Sequence, residues 1–169
     1  MRVRLLRDQR GVAALEFAIL GPIFFLLLLA LIDLSIFFAT HAIVDDAIAG
    51  AARSVRLGLL QTDTDGTQFR AVLCKRLFFV NCNNFTFSAK PVVNLATVNP
   101  TPAFDASGHL VDQTYDPGNT EDIMVITIAY VHTFIIPYIG LIFGDSNLTD
   151  PHMRTITSFL VVKNEPYPN

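Results

Sequence analysis

The chain has 169 residues, 51% of them hydrophobic, with a mean hydropathy of +0.45 and a formal charge of −3. That length fits one membrane anchor plus one small domain, not two globular domains, and most of the excess apolarity lies at the N-terminal end. The mildly acidic balance argues against nucleic acid as a ligand.

Residues 1 to 11 form a basic leader in which Arg2, Arg4, Arg7 and Arg10 stand against Asp8. Such a positive flank keeps the N-terminus in the cytoplasm, so that the rest of the chain faces outward. The leader carries a net +3, which leaves −6 on the remainder.

From Val12 to Ile32 the only charged residue is Glu16. At about 1.5 Å per residue this stretch makes roughly 30 Å of helix, the thickness of a bilayer's hydrocarbon core. It is too long for a cleaved secretory signal and contains an acid, so the leader reads as removable and the apolar segment as retained, spanning the membrane over about 12–35. A carboxylate inside a membrane helix costs roughly 2.5 to 3.5 kcal/mol, less near the interface. Glu16 therefore either sits at headgroup depth facing water or meets a positive partner from another chain. Pro22 follows Gly21 inside the apolar run, where a proline removes one backbone hydrogen bond and gives either a bend or a harmless kink. Asp33 reads as a hydrated residue at the outer boundary of the membrane.

Beyond Asp33 the helical pattern continues. Ile36, Ala39, Ile43, Ala47, Ala51 and Val55 form one apolar stripe opposite His41, Asp45, Asp46, Arg53 and Arg56. The spacing predicts one helix over 12–57, and its small residues Ala47, Ala49, Gly50, Ala51 and Ala52 admit a close neighbour. For Arg53, solvation on the polar face and a partner contact stand side by side.

The domain is expected over 58–169. Residues 58 to 66 read as a loop. Thr64, Asp65 or Thr67 then caps a second helix through Phe69, Val72, Leu73, Leu77 and Val80, ending near Asn81. Cys74 and Cys82 are the only cysteines. Beyond the membrane they occupy an oxidising compartment, where such a pair reads as a disulfide contributing about 2 to 3 kcal/mol; the alternative is two free buried thiols. A metal site would need more ligands than this neighbourhood offers.

Phe85 to Ala89 alternates as a strand, resuming after Pro91 at Val92 and Val93. Residues 94 to 120, rich in Pro, Asn, Asp, Thr and Gly, make a long excursion with a turn at Ala106-Ser107-Gly108 and are a candidate variable contact surface. Ile123 to Phe134 is the strongest strand signal. Residues 135 to 143 form a hydrophobic loop, broken by Pro137 and Gly140, that either packs on the sheet or docks on the membrane. Arg154 to Val162 alternates as the last strand.

Three blocks resemble one family. Gly11-Val12-Ala13-Ala14-Leu15-Glu16-Phe17 is similar to the processing site of type IV prepilins, in the Gly-x-x-x-x-Glu-Phe form of Flp-type pilins and TadE-like pseudopilins. Ala42-Ile43-Val44 through Ala51-Ala52-Arg53 resembles the TadE-like helix, and Val162-Lys163-Asn164-Glu165-Pro166-Tyr167 resembles the Asn-Glu-Pro ending of such sequences. The resemblance implies a type IV pilin-like α+β fold, with a long N-terminal transmembrane helix continuing into a small domain with a second helix and an antiparallel three- to four-stranded sheet.

It also implies cleavage after Gly11 by a prepilin peptidase, freeing the amine of Val12. Glu16, beside Phe17, would then neutralise the amine of a neighbouring subunit, and Pro22 would supply the bend or local melting of pilin helices. The implied partners are a related TadE/TadF-like pseudopilin, the major Flp-type pilin, the inner-membrane Tad assembly platform and the inner membrane. The expected role is to prime, cap or join a Flp-type pilus used in surface adhesion, with the domain in the periplasm and no cofactor, metal, nucleic acid or small-molecule substrate. The alternative is a permanent single-pass anchor whose periplasmic domain binds a partner without polymer assembly.

Catalytic patterns offer little competition. His41, His109, His132 and His152 lack metal-type spacing, and His132 falls inside a strand as a structural histidine. No Gly-x-Ser-x-Gly or phosphate-cradling loop occurs. Asp105, Asp112, Asp116, Glu121 and Asp122 lack the calcium-loop spacing and read as a solvated acidic loop.

Overall fold

A computed structural model describes residues 11–77, 79–94, 96, 98 and 101–166. The arginines of the basic leader and Tyr167 lie outside the described residues. Helix α1 spans Val12–Arg56 and is continuous through Pro22. Helix α2 spans Thr67–Arg76, strand β1 Phe85–Val92, strand β2 Ile123–Thr133, helix α3 Pro137–Phe143 and strand β3 Met153–Lys163. The strands form one antiparallel sheet in the order β1-β2-β3, an α+β layout of pilin type with three strands.

Strand alternation sorts the residues into two faces. Phe85, Phe87 and Ala89 pair with Tyr130, Ile128 and Ile126, and across β2 these meet Ile156, Ser158 and Leu160. This face packs against the second half of α1, which buries Val44, Ala47, Ile48, Ala51, Ala52 and Val55, and against Phe69 and Leu73 of α2. Phe69 lies 4.8 Å from Phe87 and 5.5 Å from Tyr115, so an aromatic cluster joins α2, β1 and the end of the long excursion.

The expected stripe on α1 holds at Ala47, Ala51 and Val55, which are buried, but not at its start. Ile36 and Ala39 face outward, while Thr40, Val44, Ile48 and Ala52 face inward. The helix meets the domain first through Asp33 and Phe37, which sets the contact row further round the helix than the apolar spacing alone indicates. Among the small residues, Ala49 is exposed, whereas Gly50 lies under the Arg76 side chain of α2, whose guanidinium also reaches Asp46 at 3.6 Å.

Helix α2 stops at Arg76, short of Asn81. Cys74 and Cys82 are joined by a disulfide with their Cα atoms 5.5 Å apart. Eight further residues of helix would carry the chain about 12 Å away, so the bridge requires the chain to turn back. Leu77 and Val80 accordingly lie outside the helix, and Asn81 caps the short turn Cys82–Asn84 by accepting the Asn83 N–H at 3.0 Å. At the other end Gly66, not a side-chain cap, occupies the cap position with φ +78°. Asp65 instead accepts the Thr67 N–H at 3.0 Å, and the buried carboxylate of Asp63 accepts the Phe69 N–H at 2.8 Å, satisfying two otherwise unpaired helix donors.

Strand β1 runs without interruption through Pro91. It is an edge strand, where a residue lacking an N–H is tolerated. The excursion turns as expected near Gly108, but around Asp105: its Oδ1 accepts the N–H groups of Ser107 and His109, each at 2.9 Å. The segment then crosses the far face of the sheet, where Leu110 N–H donates to Thr86 Oγ1. It reaches the edge of β1, where Ala89 N–H donates to Thr114 O and Asp116 N–H to Ala89 O. Residues 135–143, expected as a loop, contain α3, which Pro137 opens from its first turn.

The exposed N-terminal helix and the boundary residues of the domain

The helix divides into two functional halves. Apart from Gly21, which packs under its own Phe17 ring, residues 11 to 29 are exposed, including Val12, Leu15, Phe17, Phe24 and Phe25. A continuous apolar surface of this kind is unsuited to water and requires lipid or other helices around it. Gly11 precedes α1 in open space, with nothing within 4 Å of where a Cβ would stand. Glu16 is exposed on the same segment, and among the described residues no hydrogen bond or ion pair engages its carboxylate. Pro22 lacks the N–H that would bond Ala18, so α1 is locally short of one bond there. Arg53 is exposed in the last turn of α1. The structure does not bring Glu16 and Arg53 together; they belong to opposite ends of a 45-residue helix.

Asp33 corrects the sequence reading most sharply. It is only 2% exposed, not hydrated, and its carboxylate accepts the N–H of Ile135 at 3.3 Å and of Ile136 at 3.0 Å. It therefore clamps the chain just ahead of α3 to the point where the helix enters the domain. No local pattern identifies the partner, because the two ends of this contact are about a hundred residues apart in sequence.

Beside this clamp lies His132, buried between the rings of Phe37 at 5.4 Å and Phe134 at 5.0 Å. Burial pushes its pKa below the ordinary 6.5, opposed in part by the Asp33 carboxylate. Its cross-strand neighbour is Arg154, which donates to Phe143 O at 2.8 Å. The unfolded chain thus binds the proton at higher pH than the folded one. Stability from this group is full above pH 6.5 and declines as pH falls below it. Denaturant midpoints of the full chain in detergent micelles are expected to fall between pH 7.5 and 5.5, and His132→Phe is expected to flatten that fall.

The C-terminal Asn-Glu-Pro block is a structural latch. Asn164 is buried and its Nδ2 donates to Pro117 O at 3.2 Å and Asn119 O at 2.9 Å. Glu165 N–H donates to Arg56 O at 2.9 Å, while its carboxylate meets the Arg56 guanidinium at 2.9 Å. The end of β3, the end of α1 and the end of the excursion are fixed together by these few groups.

The far face of the sheet holds a cleft of about 470 Å³, lined by Ser88, Lys90, Leu110, Asp112, Thr127 and Phe159 among others. Its two charges engage each other, Lys90 donating to Asp112, and this contact holds the Asp112 carboxyl down to about 2. Among the described residues no group of three or more His, Cys, Asp or Glu is placed to hold a metal ion. Other carboxylates in and just after the excursion are turned to nearby backbone, as Asp116 is to Gly118 N–H at 2.9 Å and Asp122 to Asn119 N–H at 2.7 Å.

Among the described residues one helix is long and apolar enough to cross a membrane, and it runs without a break into a compact α+β head, a pilin-like layout consistent with a single-pass membrane protein. Residues 11–53 match the model of the family described as TadE-like protein, a match confined to α1 and the residue before it. That family is a structural, pilus-associated one. No curated protein and no solved structure matched in the comparisons.

Proposed function

We propose that this chain is a pseudopilin or minor pilin, cut after Gly11 and assembled through Val12–Ile32 among other pilin-like helices to prime, cap or join a Tad pilus. The observation that carries the reading is the division of α1. The domain is built wholly on the half beyond Ile32, leaving the apolar half, with Glu16 exposed upon it, free to be covered by other chains. The free amine of a neighbouring Val12 is the partner whose charge suits Glu16. The leader's arginines support a cytoplasm-to-periplasm orientation.

Intact-mass measurement of the exported protein tests this. The expected mature chain begins at Val12, and Gly11→Leu is expected to retain the leader, because a side chain there obstructs a peptidase's access to the backbone. Wild-type protein carrying an uncut leader would overturn the reading in favour of a permanent single-pass anchor.

A further inference from the structure

We infer that α3 and the turn before it form a second membrane contact, lying in the interface of the outer leaflet beside the point where α1 leaves the bilayer. Phe134 to Gly144 contains no charged residue. Four of its large side chains point outward: Ile135 is 73% exposed, Ile142 71%, Tyr138 65% and Leu141 62%. On the opposite side the helix is pressed against the chain at its glycines. A Cβ at Gly140 would lie 2.8 Å from the His152 Cα, and one at Gly144 would overlap the Pro151 carbonyl. The orientation of the apolar residues is therefore set by backbone contact, not by flexible side chains.

Position supplies the occupant. Asp33 fixes Ile135 and Ile136 to α1 through two backbone hydrogen bonds. It lies 21 residues after Val12, or about 31 Å along the helix, one hydrocarbon-core thickness. The patch is thus continuous with the membrane-crossing surface and lies at the depth where a short apolar helix with a tyrosine beds between acyl chains and headgroups. Arg154, exposed and bonded to the last carbonyl of α3, places a cation at the same rim, matching the phosphates of phospholipid headgroups. The lipid surface is the occupant these features favour. The inference rests on α1 spanning the membrane and not on pilus assembly.

The chain contains no tryptophan, so a single introduced indole reports depth without background. Full-length Ile142→Trp, with Leu141→Trp as a second reporter, is reconstituted in phosphatidylethanolamine–phosphatidylglycerol vesicles containing lipids brominated high on their acyl chains and, in a parallel set that reads the span, deep on them. Phe25→Trp serves as the reporter of the span and Phe159→Trp as the reporter of the sheet. The expected result is emission from Ile142→Trp and Leu141→Trp reduced roughly twofold by shallow bromines, as for a residue buried at the acyl boundary, with Phe159→Trp unaffected. Quenching of Phe25→Trp without quenching at either α3 reporter overturns the inference and leaves the span intact. Absence of quenching at Phe25→Trp overturns the span and the inference together. A blue shift at Ile142 that grows with protein-to-lipid ratio and resists bromine assigns the patch to a second copy, and also overturns the inference.

Discussion

Glu16→Ala is expected to weaken recovery of pilin-like partners and pilus assembly by about a hundredfold while leaving the folded domain unchanged. The domain is indifferent because Glu16 is exposed and lies outside the half of α1 that packs on the sheet. The magnitude follows from the proposed pair. A charge left without its counterpart in a membrane costs roughly 2.5 to 3.5 kcal/mol, and each 1.4 kcal/mol is about tenfold in association. Glu16→Gln, which keeps the shape and loses the charge, is expected to behave like Ala. Co-purification from membranes and counts of surface pili are the measurements; unchanged values for both variants would remove the intermolecular pair from the mechanism.

Asp33→Ala has its expected effect inside the molecule. Removing the carboxylate, itself only 2% exposed, leaves the N–H groups of Ile135 and Ile136 without their acceptor at a partly buried site. An unsatisfied buried donor costs roughly 1 to 3 kcal/mol; because both bonds are only partly buried and that to Ile135 is long at 3.3 Å, the loss is expected at the low end for two donors, about 2 kcal/mol. The loss should be local first: hydrogen exchange is expected to accelerate through Ile135–Gly144, while the disulfide-stapled region around Cys74 and Cys82 stays protected. Asp33→Asn keeps one acceptor oxygen and is expected to fall between Ala and wild type. Uniform exchange across α3 in wild type and Ala variant would mean that the clamp contributes nothing to holding that helix.

The two substitutions divide the helix at the same place as the structure does. Glu16 lies on the half that is exposed; Asp33 begins the half that the domain covers. The Asn164 and Glu165 latch closes the opposite end by tying Arg56 to the end of β3. A rigid joint between helix and head follows. The head is held at both ends of the buried part of α1 and cannot swing freely about a linker.

By itself the sequence determined the long apolar helix, the lone acid within it, the β-branched and aromatic density of β2, the alternation of β3 and the family resemblance, all of which are local patterns of composition and hydropathy or short motifs. Periodicity is read within a window of a few turns, and these elements obey it. What only the tertiary structure decided concerns groups whose partners are far away in the chain. Asp33 looks like any boundary carboxylate until the turn at Ile135 is folded against it; α3 looks like a loop, since Pro137, Gly140 and Gly144 are punctuation in a linear reading. In the fold, Pro137 starts the helix, and the two glycines let it lie against Pro151 and His152. The inward row of α1 was likewise set by the sheet, because a helix apolar over much of its circumference does not specify which side is buried until a surface of matching shape packs against it.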